Sequence, residues 1–186
     1  MTKDQLKYPI GKFSKWKNIG DAVLEQWIND IESFPDKLDE LTRNLTAEQL
    51  QLRYRPDGWT IKQVVHHCAD SHMNSLIRFK LALTEDEPTI RPYFEDRWAN
   101  LVDAQDDDIR YSVGLLKALH SKWILLLRSL DEADLNREFI HPEHDKRFTL
   151  RENISIYAWH GEHHLAHIRQ ALDNEIMPQS DNEVKL

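Results

Sequence analysis

One cysteine, five glycines and seven prolines in 186 residues are low counts, and each scarcity excludes something. A lone Cys68 cannot form an intramolecular disulfide, which suits a reducing cytoplasm. So few glycines and prolines argue against a turn-dense all-β domain. No run approaches the ~18 apolar residues of a membrane span, and Met1-Thr2-Lys3-Asp4-Gln5 leads into no apolar leader. Basic residues are outnumbered: 24 Lys plus Arg against 32 Asp plus Glu give a net charge of −8. A nucleic-acid backbone or an anionic membrane would repel such a surface, so neither is expected as a partner. The length fits one domain, residues 1–186, with residues 1–18 as an N-terminal arm. Ten histidines and six tryptophans are the unusual abundances, and the function is sought there.

Helical periodicity dominates four segments. About Asp21 to Arg43 carries Leu24, Trp27, Ile28, Ile31, Leu38 and Leu41 in phase across Pro35, as one kinked helix or two abutting ones. About Ile61 to Leu83 carries Ile61, Val64, Val65, Cys68, His72, Leu76 and Phe79. About Asp107 to Leu130 carries Ile109, Val113, Leu116, Leu119, Trp123 and Leu127. About Leu150 to Asp173 carries Ile154, Tyr157, Gly161, Leu165, Ile168 and Leu172. Thr46, Thr60 and Thr149 each stand three residues before Gln49, Gln63 and Glu152, the pattern of a capping box at a helix start. Four such helices predict an all-α, four-helix bundle. The connection from Thr84 to Asp106 is long enough to cross one end of that bundle, with a short helix near Phe94–Leu101. Glu138–Thr149 reads as a small hairpin or loop.

The densest chemical signal is Trp159-His160-Gly161-Glu162-His163-His164-Leu165-Ala166-His167. Imidazoles four apart on a helix stand one above the other and can share a metal ion. Of the two such pairs, His160 and His164 lie beside the apolar stripe, whereas His163 and His167 turn outward toward solvent. A second cluster, His66-His67-Cys68-Ala69-Asp70-Ser71-His72, falls on another helix. There His72 and Cys68 sit on the apolar stripe as packing residues. His67 shares a polar line with Ser71, Asn74 and Arg78 that is either exposed or lines a wet cavity, and spacing alone does not choose. Three facing imidazoles would form a neutral nitrogen donor set suited first to Zn²⁺ and also to Ni²⁺, Co²⁺ or Fe²⁺, with a position left for water. A fourth ligand, His163 or His167 swung inward, would instead close the sphere and make the ion structural.

The run Asp57-Gly58-Trp59-Thr60-Ile61-Lys62-Gln63-Val64-Val65-His66-His67, with Ala69-Asp70-Ser71-His72-Met73-Asn74-Ser75, resembles the signature of the YfiT-type metal-dependent hydrolases of the DinB-like superfamily. Tyr8-Pro9-Ile10-Gly11, Ile90-Arg91-Pro92-Tyr93 and the Trp159–Ile168 histidine run match the same pattern in the same order. The resemblance implies a DinB-like four-helix bundle, a cytoplasmic homodimer, and one divalent metal per subunit, Zn²⁺ or alternatively Ni²⁺. The ligands it implies are His67, His160 and His164. It implies a small-molecule substrate and two chemistries: hydrolysis by a metal-activated water, or transfer of a low-molecular-weight, bacillithiol-like thiol to an electrophile. Asp70, His72, Asn74 and Glu162 are candidates for handling the proton in the first, and none is singled out. Arg78 and Arg91 are candidates for a cationic patch in the second. Trp59 and Trp159, beside the clusters, are the tryptophans placed to wall a pocket.

Overall fold

The computed structural model of the chain describes residues 2–16, 20–143 and 146–174. In chain order the elements are α1 (Lys3–Lys7), α2 (Asp21–Thr42), α3 (Ala47–Leu50), α4 (Ile61–Thr84), α5 (Glu95–Trp98), α6 (Arg110–Leu127), α7 (Glu132–Leu135), the strands β1 (Glu138–His141) and β2 (Lys146–Thr149), and α8 (Leu150–Asn174). The four long helices form the bundle: α2 and α4 each pack against both α6 and α8, which places α2 and α4 on a diagonal. None of the described helices is long and apolar enough to cross a membrane.

The helix starts follow the threonines. The hydroxyls of Thr46 and Thr60 accept from the backbone N–H groups of Gln49 and Gln63, whose amide oxygens accept from the threonine N–H groups in return. Thr149 and Glu152 exchange the same pair of bonds at the start of α8, both 3.1 Å. Each box satisfies two donors that a helix start otherwise leaves without a partner.

Pro35 lies inside α2, which runs through it as one helix. Proline has no N–H, so the Ile31 carbonyl, four residues earlier, is deprived of its helical donor. A side chain takes the vacancy: Nδ1 of His120 on α6 donates to that oxygen at 2.7 Å.

The core is two apolar clusters with a histidine layer between them. One gathers Ile28, Ile31, Phe79, Trp123 and Ile154; the other gathers Phe34, Leu38, Val65, Leu116 and Ile168. At the junction α4 contributes His72, α6 His120 and α8 His160, with the Phe34 ring 4.9 Å from that of His72. Gly161 follows where α8 packs on α2, and a Cβ there would stand 2.9 Å from Cδ2 of Phe34.

The long connection from α4 to α6 does not cross one end of the bundle as its length suggested: it returns along the bundle's side, from the Thr84 end of α4, where Pro88 and Ile90 meet β1, to the Ile61 end, so that α4 and α6 run parallel, with His66 facing Ser112 and His72 facing His120. It carries α5 and a 3-10 turn, Asp103–Gln105. The first turn of α4 pins it. Lys62 Nζ donates to the Gln105 carbonyl at 2.6 Å and to Asp107 at 2.7 Å, and Gln63 Nε2 donates to the Ala99 carbonyl at 2.8 Å. Within the expected 138–149 hairpin, β1 and β2 pair antiparallel, with Phe139 opposite Phe148. Its Ile140 also exchanges backbone bonds with Pro88 and Ile90, tying the hairpin to the crossover.

The N-terminal arm lies on the outer face of α8. The Leu6 carbonyl accepts from Gln170 Nε2 at 2.9 Å, the Lys7 carbonyl from His167 Nε2 at 3.1 Å, and Tyr8 stacks on His163.

Candidate metal centre

The structure brings together the three histidines of α4 and α8 that the sequence resemblance singles out. One ring nitrogen from each of His67, His160 and His164 lies within 4.8 Å of the others. The two helices position them for different reasons. His67 lies two turns into α4, directly beyond the capped and pinned first turn, and Trp59 packs on its ring at 4.6 Å. His160 and His164 are one turn apart on α8 with ring centroids 4.4 Å apart.

The donor set suits a divalent cation. Nε2 of His67 and Nε2 of His160 are 3.3 Å apart. Two metal–nitrogen bonds of about 2.05 Å meeting at a tetrahedral angle separate their nitrogens by about 3.3 Å, so the observed spacing needs no adjustment. All three rings are neutral. Burial lowers the His67 pKa to about 4. It lowers those of His160 and His164 well below the ordinary histidine value, with further depression from neighbouring imidazoles. Rings that do not hold a proton keep a lone pair free, the state in which an imidazole can ligate a cation.

The cluster is open to two cavities. One, of about 340 Å³, is lined by all three histidines together with Trp59, Trp159, Arg55 and Lys7. The other, of about 530 Å³, reaches His160 alone of the three and is lined by Ser71, Arg78, Tyr93 and Tyr157. The polar line of α4 therefore borders wet space, as one of its two sequence readings had it. Glu95 and Asp96, at the start of α5, line both cavities. The Glu95 carboxyl is held above the ordinary range, first by desolvation and then by the charges of Asp96 and Glu143.

Other sequence candidates fall elsewhere. His163 and His167 are not turned to solvent: both are buried, because the arm covers a face of α8 that points away from the bundle axis. A helical wheel measures direction from that axis and takes no account of an outer layer. His167 is held by the Lys7 carbonyl, and His163 is sandwiched between Trp159 and Tyr8, so neither is a fourth ligand. Asp70 lines neither cavity; its carboxyl is raised to about 6 by burial and then by Asp103. Asn74 is spent on the Asp70 carbonyl at 2.8 Å, and Glu162 pairs with Lys37 across α8 and α2 at 2.7 Å. Arg91 is exposed and lines neither cavity, whereas Arg78 lines the larger. Cys68 is fully buried and its thiol is pushed up by burial, in keeping with a packing role.

Two residues at the site carry no sequence signal of their own. Glu95 is one acid among many in the crossover. His120 is a single histidine on the apolar face of α6, yet it accepts a hydrogen bond in the buried layer behind His160. His72, expected as a packed and hydrogen-bonded core residue, is that, and its partners are His120 and His160.

Comparison with known proteins agrees with this architecture. The profile of the DinB superfamily matches residues 22–168. A protein of Oceanobacillus iheyensis named "Putative metal-dependent hydrolase" is 49% identical over 162 residues, covering 87% of this chain and 93% of its own. Bacillus subtilis YfiT, which carries the same description, is 45% identical over 170 residues, covering 91% and 96%. The solved structure of YfiT, described as a probable metal-dependent hydrolase with an unusual four-helix bundle topology, superposes with a TM-score of 0.89 at 43% identity over 92% of this chain and 98% of that one. With a profile match over residues 22–168 and a matching bundle, the chain belongs to the DinB superfamily.

Proposed function

We propose that this chain is a metal-dependent hydrolase in which His67, His160 and His164 hold one divalent ion, Zn²⁺ in the first instance and Ni²⁺ as the alternative. The observation that carries the reading is a neutral trio of imidazoles at metal-ligand spacing, His67 and His164 buried and His160 half-buried, that opens onto two cavities rather than being closed by a fourth side chain. Bound there, the ion supplies Lewis acidity and a water of lowered pKa. The chain's own residues supply the rest. Glu95 borders both cavities and takes the proton from the attacking water, its raised pKa bringing it nearer the working range of a general base. Arg78, in the wall of the larger cavity, orients an anionic or carbonyl-bearing small molecule. Trp59 and Trp159 wall the smaller cavity and limit the water that reaches the trio. Names given to the relatives support hydrolysis over thiol transfer.

Elemental analysis of the purified wild type and of His160→Ala, with assays on ester and amide substrates and on a thiol plus a bimane electrophile, tests the reading. One ion per chain and ester or amide turnover are expected for the wild type, and loss of both for the variant. Equal stoichiometric metal in the two proteins would remove His160 from the ligand set. Thiol conjugation without any hydrolysis would replace the reaction.

A further inference from the structure

Behind the two α8 histidines lie further imidazoles, and each set ends on a backbone carbonyl. His160 Nδ1 is 3.1 Å from His72 Nε2, His72 Nδ1 is 2.7 Å from His120 Nε2, and His120 Nδ1 is 2.7 Å from the Ile31 oxygen. His164 Nδ1 is 3.4 Å from His167 Nδ1, and His167 Nε2 is 3.1 Å from the Lys7 oxygen. Among the described residues no carboxylate joins either set by a hydrogen bond.

A neutral imidazole has one N–H and one lone pair, so a row of them must point one way throughout. A carbonyl can only accept, and that decides the direction. His120 must donate from Nδ1 to Ile31, which leaves its Nε2 to accept. His72 then donates from Nδ1 and accepts at Nε2, so His160 donates from Nδ1 and keeps a bare lone pair on Nε2, the atom that faces His67. In the second set His167 donates from Nε2 to Lys7 and accepts at Nδ1, so His164 donates from Nδ1 and keeps its lone pair on Nε2. We infer that these two carbonyl-anchored relays fix the tautomers of His160 and His164, making His72, His120 and His167 positioning residues that present two Nε2 lone pairs to the shared centre.

The anchors are products of the fold. The Ile31 oxygen is available because Pro35 removes its helical donor, and the Lys7 oxygen is delivered by the arm. Second partners of ligating histidines ordinarily set ring orientation and tautomer, and losing one costs about 10–100-fold in metal affinity. The consequence for affinity rests on the metal-centre reading above; the tautomers belong to the metal-free chain and stand without it.

Long-range ¹H–¹⁵N correlation spectra of the uniformly ¹⁵N-labelled, metal-stripped full chain read the tautomers directly. His72, His120, His160 and His164 are expected as Nδ1–H, the form that a histidine in water does not favour, and His167 as Nε2–H. An Nε2–H signal for His160 or His164 overturns the inference. Replacing His120 by Phe keeps the ring's bulk and removes the anchor; His160 should then populate both tautomers, with Co²⁺ affinity in a chelator competition lower by about 10–100-fold. His120→Gln retains an oxygen to accept from His72 and is expected to recover affinity. A single Nδ1–H form of His160 and wild-type affinity in His120→Phe would also overturn the relay. If His120→Phe does not fold, the wild-type spectrum decides alone. The expected tautomers in a chain that binds no Co²⁺ would remove the metal centre and leave the relays. Co²⁺ binding with His160 as Nε2–H would remove the relays and leave the centre.

Discussion

Glu95, which with Asp96 borders both cavities reaching His160, has a raised pKa. A general base works only when deprotonated, so the acid limb of kcat/KM against pH is expected above the ordinary glutamate value of about 4.3, with activity falling as pH drops through it. Glu95→Gln should lower kcat by about 10²-fold or more and abolish that limb while metal content stays at one per chain. An unchanged limb in the variant would assign it to another group. At this scale the sequence reveals candidate ligands better than the groups around them. His160 and His164 repeat at helical spacing and leave a pattern, and a resemblance over an extended run points to His67. Glu95 and His120 repeat nothing, and they reach the site only through the crossover and through the approach of α6 to α2.

The four long helices and the threonine-marked starts of α3, α4 and α8 are legible in the sequence because each has a local cause, whereas the short α1 and α7 and the path of the long connection are not. Period-3.6 apolar stripes and threonines three residues before Gln or Glu are properties of short windows. The arm's cover over α8 is not local: it depends on Leu6 and Lys7 meeting Gln170 and His167 from the far end of the chain. Two element-level predictions follow from the contact of α2 with α8 and α6. Gly161→Ala gains about 1 kcal/mol of helix propensity. Against this, the new methyl meets the fully buried Phe34, which is itself packed on His72, at a cost of about 1–3 kcal/mol. The clash outweighs the gain, and the urea midpoint of the variant should fall by the equivalent of about 1 kcal/mol. Pro35→Ala restores the N–H that competes with His120 for the Ile31 carbonyl. Thermal unfolding should shift upward, since an interior proline costs a helix about 3 kcal/mol, while Co²⁺ affinity declines. A variant with both stability and affinity unchanged would show that the carbonyl is not shared.

Across the whole molecule, the two apolar clusters supply the burial, and the histidines buried between them and under the arm make the stability sensitive to acid. Burial holds His67 and His120 at about 4 and His167 at about 3, against an ordinary value near 6.5. Their folded pKa values lie below the unfolded ones, so the unfolded chain binds more protons below pH 6.5 and stability falls as pH falls. Each such group removes about 1.4 kcal/mol per pH unit between 6.5 and its folded value. The metal-stripped protein is therefore expected to hold its urea midpoint from pH 8 to 7 and to lose it steeply between 6 and 4.5. A flat midpoint over that interval would show that the layer takes up protons without unfolding. Because the Lys7 carbonyl ends the row that runs through His167 to His164, the arm of residues 3–8 props the candidate metal centre from outside the bundle. Displacing that arm is expected to release the His164 tautomer, however remote residues 3–8 look on a linear map.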